Sequence, residues 1–170
     1  MDLKTGLPPL VSGNSKVLIL GTLPGDESLR KQQYYSHPDN QFWRIIAAVF
    51  SQQLSTEYPD RVAFLQKQGI ALWDVLRCAN RQGSLDCDIE SETPNDVAAF
   101  LSEWPCVKAV FFNGGKACNC FKKHIAKTIP TKLLESITFT QLPSSSPTPG
   151  KYVKSFDAKL AEWKLVCSRI

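Results

Sequence analysis

The chain predicts an α/β fold, a three-layer α/β/α sandwich around a central four-stranded parallel sheet, formed as one domain over residues 1–170. Three observations predict it. Short apolar runs, each the length of a buried strand, recur along the chain. Amphipathic helical patterns separate them, as parallel strands need for their crossovers. No internal repeat or low-complexity tract interrupts the alternation.

The elements follow in order. "KVLILG" at residues 16–21 is a continuous apolar run closed by Gly21, read as a strand buried on both faces. The Gly/Pro turn "GTLPGDESL" follows. Helical patterns occupy "NQFWRIIAAVF" (40–50) and "PDRVAFLQKQG" (59–69). "IALWDVL" (70–76) is the second strand, and "NRQGSLDCDIESE" (80–92) a polar loop. "TPNDVAAFLSEW" (93–104) is a helix in which Thr93 caps, Pro94 occupies the first turn and Asp96 favours the N-terminus. "VKAVFFNG" (107–114) is the third strand and "GKACNCFKKHIAK" (115–127) the next crossover helix. "ITFTQL" (137–142) is the fourth strand, "PSSSPTPG" (143–150) a long turn and residues 151–168 a closing helix.

Composition limits the function classes. Hydrophobic residues make up 43% and charged residues 21%, as in an ordinary globular protein, and a net charge of +4 permits a polyanionic partner without requiring one. No apolar run approaches the ~18 residues of a membrane span, and "MDLKTGLPPL" has no apolar core of a signal peptide. No membrane partner is therefore expected. Cys78, Cys87, Cys106, Cys118, Cys120 and Cys167 include no Cys-x-x-Cys pair, and Cys118 and Cys120 point to nearly opposite sides of one helix. No metal is expected. Reduced thiols suit a cytoplasmic protein. His124, on a Lys-rich helix, is expected at the surface.

In an open α/β sheet, ligands bind beyond the carboxyl ends of the strands. Three loops leave such ends here: "GTLPG", "NGG" and "PSSSPTPG". The segment "YYSHPDNQFW" (34–43) follows the first closely and can form a wall of the same crevice. Familiar chemistries do not fit that crevice. Neither "GTLPGDES" nor "NGGKAC" ends in the Gly-Lys-Ser/Thr of a P-loop. No Gly-x-Gly-x-x-Gly or Gly-x-Ser-x-Gly occurs. What remains is amides, hydroxyls, aromatics and backbone N–H groups, a set suited to reading a flat polar heterocycle and holding a phosphate.

"VLILGTLPG", then "YYSHPDNQFW", then "LPSSSP" near the C-terminus together resemble the uracil-DNA glycosylase superfamily, over nearly the whole chain and in order. The nearest branches are the hypoxanthine-DNA glycosylases and the mismatch-specific uracil/thymine glycosylases. The resemblance implies a cofactor-free monofunctional DNA glycosylase that flips a deaminated base, hypoxanthine by preference, out of DNA and hydrolyses its glycosidic bond. Uracil, or binding of nucleic acid without catalysis, are the alternatives. The expected partner is DNA containing deaminated bases, and the expected state a monomer.

The resemblance also implies site residues. The mismatch-specific branch carries Asn within its first loop, where this chain has Leu23, which cannot hold a water. The hypoxanthine branch is apolar there, and its catalytic Asn lies in the His-Pro-x-Asn motif, here Asn40. An amide carbonyl can orient water if the transition state is already dissociative. Asp39 is the rival base, and a helix cap is the alternative role for Asn40. Tyr35 corresponds to an aromatic that stacks on the flipped base, and Asn113 can read a base edge or form a turn. Gly21, Thr22, Leu23, Pro24 and Gly25 line the base and sugar. Ser144, Ser145, Ser146, Thr148 and Lys151 are expected DNA contacts, with Thr148, Pro149 and Tyr152 the wedge candidates. Asp74 reads as a cap or ion-pair partner, and His37 as a turn residue.

Overall fold

The structure, a computed structural model, describes residues 3–147 and 153–170. Its strands are β1 (Leu3–Thr5), β2 (Val17–Gly21), β3 (Ile70–Asp74), β4 (Leu76–Arg81), β5 (Ile89–Pro94), β6 (Ala109–Asn113) and β7 (Thr138–Leu142). Its α-helices are α1 (Asp26–Lys31), α2 (Phe42–Val49), α3 (Tyr58–Lys67), α4 (Val97–Glu103), α5 (Gly115–His124), α6 (Thr131–Glu135) and α7 (Phe156–Trp163).

The expected parallel sheet is present in the order β3-β2-β6-β7. Every residue of β2 is buried. The alternation of β-strand side chains divides the core into two layers. Leu18 and Leu20 of β2, with Val110 and Phe112 of β6, pack against Val97, Phe100 and Leu101 of α4 and Ala117, Cys118 and Phe121 of α5. Val17 and Ile19, with Phe111, pack on the other face against Phe42, Trp43 and Ile46 of α2, Leu65 of α3 and Trp163 of α7. Three layers follow directly from β2 being apolar at consecutive positions.

A second sheet departs from the sequence reading. β1, β4 and β5 form an antiparallel three-stranded sheet; the end of β4 and most of β5 fall within residues 80–92, where a polar loop was expected, and β1 lies in the N-terminal segment. The chain leaves β3 and continues into β4 while still paired with the end of β2: Val75 N–H donates to Gly21 O at 2.9 Å and Leu76 N–H to Thr22 O at 3.0 Å. The second sheet therefore grows out of the carboxyl edge of the first, beside the first loop. The cap of α4 also shifts. Thr93 and Pro94 belong to β5, and Asp96 is the capping residue, its carboxylate accepting from Ala99 N–H at 2.9 Å.

His124 is not free at the surface. Its Nε2 lies 2.6 Å from Glu92 Oε2, in a cluster with Lys116 and Lys123. Burial alone would raise the Glu92 pKa, but hydrogen bonds from Lys116, Lys123 and His124 outweigh it and hold this carboxylate well below the usual range. All six cysteines are unpaired.

Candidate functional site

The carboxyl ends of β2, β3, β6 and β7 open into a cavity of about 940 Å³. Gly21 to Gly25 line it, as do Tyr35, Asn40, Asp74, Asp86, Asn113 and Ser144 to Ser146. The three strand-end loops thus meet in one crevice, and the residue 34–43 segment supplies a wall.

The first loop is held from below. Thr22 Oγ1 donates to Asp86 Oδ2 at 2.9 Å. Arg81, fully buried at the end of β4, donates to Leu23 O at 3.3 Å and to Pro24 O. Its guanidinium stands 4.0 Å from Asp86. Burial pushes the Arg81 pKa down and that of Asp86 up. Leu23 itself is buried in the core layer of α4 and α5.

Asn40 sits in the turn before α2. Its N–H donates to His37 O at 3.0 Å, and its Oδ1 accepts from Phe42 N–H at 2.9 Å, so the amide closes the start of α2 while lining the cavity. An amide oxygen carries a second lone pair, which this bond leaves open. Asp39 is exposed and does not line the cavity; its N–H donates to His37 Nδ1 at 3.3 Å. His37 therefore organises the turn through both its ring and its carbonyl.

Tyr35 adopts a left-handed backbone (φ 54°). Its ring stacks on Phe42, with centroids 3.9 Å apart and planes 18° apart. Its hydroxyl accepts from Asn113 Nδ2 at 3.0 Å. The rest of the Asn113 amide is also engaged: Nδ2 donates to Ser145 Oγ at 2.8 Å, and Oδ1 accepts from Ser145 N–H at 2.8 Å. Ser145 is fully buried, and its carbonyl accepts from Gln41 N–H at 2.9 Å. Of the serine run, Ser144 is exposed and Ser146 half-buried, while Ser145 turns inward and ties the run to β6 and α2. Gly114 permits this approach: at φ 102° it lies against Ser144, whose Cβ would be 3.0 Å from an added methyl. Thr148, Pro149, Lys151 and Tyr152 lie outside the described residues.

Lys159 of α7 is a further cavity residue. It is buried, and its Nζ donates to Gln41 Oε1 at 2.9 Å and Ser146 O at 3.4 Å; burial lowers its pKa.

Asp74 is where sequence reasoning fell short. It ends β3 directly opposite Gly21 in the parallel register. It is 4% exposed, lines the cavity, and its Oδ2 has no hydrogen-bond partner among the described residues. It neither caps a helix nor closes an ion pair. Gly21 is what admits it, because a Cβ there would collide with Asp74 Oδ1 and lie 3.3 Å from the Tyr35 hydroxyl. Burial first, then the nearby Asp86, pushes its pKa up to about 8 against the opposing pull of Arg81. The available signal was position: Asp74 and Asn113 both end apolar parallel strands. Arg81 and Asp86 gave no comparable sign. No group of three or more His, Cys, Asp or Glu side chains among the described residues could hold a metal ion.

Comparison with known proteins gives a consistent picture. A family model described as the uracil DNA glycosylase superfamily matches residues 8–165. A protein of Methanosarcina acetivorans named hypoxanthine DNA glycosylase is 34% identical over 165 residues, covering 96% of this chain and 98% of that protein. One of the same name from Methanosarcina barkeri is 42% identical over 115 residues, covering 67% and 73%. A solution NMR structure from M. acetivorans, described as a candidate uracil DNA glycosylase, superposes with a TM-score of 0.80 at 33% identity, covering 98% of this chain and 97% of that one.

Proposed function

The chain belongs to the uracil DNA glycosylase superfamily and is a DNA glycosylase, and from that premise we propose that it removes hypoxanthine from DNA as a monofunctional enzyme. What supports the reading most is that Asn40, in the His-Pro-x-Asn motif, lines the same cavity as the first loop, Tyr35 and Asn113. Two relatives named hypoxanthine DNA glycosylase support the base.

The extruded nucleotide enters the cavity at the strand ends. One face of Tyr35 is taken by Phe42, so the base stacks on the other. The C1′–N9 bond breaks with its electron pair passing to the departing purine, leaving oxocarbenium character on the sugar. A water held by the second lone pair of Asn40 Oδ1 adds to C1′ and loses its proton to solvent or to the purine. The products are free hypoxanthine and an abasic site. Asn113 forms the base-side wall and holds the Tyr35 hydroxyl in place. The backbone from Gly21 to Gly25, braced by Arg81, approaches the base and sugar.

Ser144 and Ser146 at the mouth, with Lys154 beside them, meet the phosphates, while the buried Ser145 holds their loop in place; Thr148 and Lys151 are the further phosphate contacts this reading assigns. The protein acts as a monomer in the cytoplasm, where six unpaired cysteines stay reduced. No helix among the described residues is long and apolar enough to cross a membrane.

The test is incubation with duplexes carrying one deoxyinosine, deoxyuridine or normal base, followed by alkali. Cleavage at deoxyinosine only after alkali is the expected result. Uracil alone as substrate would change the base and keep the class. Cleavage without alkali, with a borohydride-trapped adduct lost in Lys159→Ala, would replace water by that amine as nucleophile.

A further inference from the structure

The buried carboxyl at the cavity floor is a group the mechanism above does not use. We infer that Asp74 is a base-binding residue that pairs as the neutral acid with the lactam edge of the extruded base, one oxygen donating to the ring carbonyl and the other accepting from the adjacent ring N–H. This rests on the glycosylase reading and deepens it.

The geometry carries the inference. Asp74 lies at the carboxyl end of β3, the edge strand paired in parallel with β2, on the side of the sheet where ligands of such sheets bind. Its Oδ2 is buried in the cavity wall without a partner among the described residues, and an unsatisfied buried polar atom in a cavity is one that a ligand can satisfy. The groups around it do not supply that partner. From β4, Arg81 gives its two terminal nitrogens to the carbonyls of Leu23 and Pro24, and its Nε, also without a partner among the described residues, makes no hydrogen bond to Asp74. From the β4–β5 connection, Asp86 is a like charge, engaged by Thr22. From the segment before α2, Tyr34 donates to the carbonyls of Leu7 and Pro8, and Tyr35 is held by Asn113. From β2 comes only the backbone of Gly21.

The chemistry of the base then fixes the useful protonation state. Hypoxanthine presents N1–H beside O6, and uracil N3–H beside O4. A carboxylic acid offers one donor beside one acceptor and closes both bonds in a planar ring. A carboxylate offers acceptors only and sets an anion against the ring carbonyl. The acid also donates to the oxygen on which charge collects as the purine departs, whereas the anion opposes that charge. With its pKa pushed up to about 8, Asp74 holds its proton at neutral pH. A neutral Asp is thus suited to the work that an amide could also do.

The experiment compares single-turnover release of hypoxanthine by the wild type, Asp74→Asn and Asp74→Ala from pH 6 to 10. It is joined to a ¹³C titration of the Asp74 carboxyl, assigned by its loss in Asp74→Asn. The carboxyl should titrate near pH 8. Wild-type rates should be level at neutral pH and fall about tenfold per unit above it. Asp74→Asn, with donor and acceptor at any pH, should stay within roughly tenfold of the wild type at pH 7 and lose the fall that begins near pH 8. The lactam N–H itself ionises in alkali, so the comparison with Asn isolates the contribution of Asp74. Asp74→Ala should be slower by about 10²-fold or more at every pH. A carboxyl titrating below pH 5 overturns the inference without any variant. So does wild-type activity in Asp74→Ala, or a rate that rises through pH 8 with Asn as inactive as Ala, the mark of an ionised base. Wild-type protein that releases no deaminated base overturns the glycosylase reading as well.

Discussion

The side-chain nitrogen of Asn113 donates to the Tyr35 hydroxyl at 3.0 Å, joining the end of β6 to a residue 78 positions earlier whose backbone is left-handed. The same nitrogen reaches Ser145, so one amide holds the aromatic wall and the serine loop in register. The Asn113→Asp substitution tests this brace. A carboxylate accepts from the Ser145 N–H and from both hydroxyls, which can rotate to donate. Asn113→Asp should therefore keep thermal stability close to the wild type, while Asn113→Ala loses it. On deoxyinosine DNA both should be slower, by about 5- to 150-fold for a lost interaction of ~1–3 kcal/mol, Asp because its charge opposes that on the leaving base. Single-turnover rates are the measurement, since product release can mask the chemical step. Unchanged rates in both variants would remove Asn113 from the site.

Asn40 has two roles that substitution can separate. Its Oδ1 closes the start of α2 by accepting from Phe42 N–H. Asn40→Ala should lower stability by about 1 kcal/mol, as for a lost helix cap, and slow single-turnover release by roughly 10²–10⁴-fold. Asn40→Ser restores an oxygen that can cap, on a side chain too short to carry a water to the sugar. Stability should return while the rate stays low. Recovery of both together would reduce Asn40 to a cap.

The parallel sheet was legible because β2, β3 and β6 are apolar at consecutive positions, the pattern of strands covered on both faces, while the edge strand β7 alternates Phe139 and threonines before Leu142. The second sheet was not, for a physical reason. Register shifts between Leu76 and Cys78 and between Cys78 and Asn80 break the two-residue period in β4, and β5 carries mostly half-buried or exposed residues. The loop ends that meet in the cavity could be named from the strand rule alone. Their partners could not. Asn113 finds Ser145 32 residues away, and Arg81 finds Pro24 57 residues away, separations on which local pattern is silent.

Arg81 is the clearest casualty of that silence, since a lone Arg in a polar stretch reads as surface. Its guanidinium is buried and satisfies two loop carbonyls beside the cavity. Arg81→Met should leave the Leu23 and Pro24 carbonyls without their donor and cost roughly 1–3 kcal/mol, the usual cost of a buried polar group left unsatisfied, the half-exposed Asp86 adding little. Urea unfolding monitored by tryptophan fluorescence measures it. Because Arg81 pulls the Asp74 pKa down, its loss should also move the Asp74 titration above 8. A stability loss with no movement of that titration would separate the loop brace from the carboxyl.

Asp74 should itself make stability depend on pH, in a direction opposite to most carboxylates. Its folded pKa of about 8 lies above the ordinary Asp value of 3.8, so between those values the folded protein keeps a proton that the unfolded chain has released. Stability then falls as pH rises across that window, because the native state binds more protons. Below pH 4 both states are protonated and the penalty is absent; above pH 8 both are ionised and it is complete. Glu92 runs the other way, its depressed pKa giving stability that is present above the ordinary Glu value and lost as pH falls towards its folded pKa. Comparing the wild type with Asp74→Asn at each pH cancels that contribution. The neutral amide needs no proton, so Asp74→Asn should raise Tm at pH 7 by roughly 8–16 °C, for ~4 kcal/mol of linkage between the ordinary Asp value and pH 7 at ~2–4 °C per kcal/mol. The difference should shrink towards zero at pH 4 and reach its full size near pH 8. Differential scanning calorimetry over that range measures it. A difference independent of pH would mean that Asp74 is ionised in the folded protein, and that another side chain holds its buried oxygen.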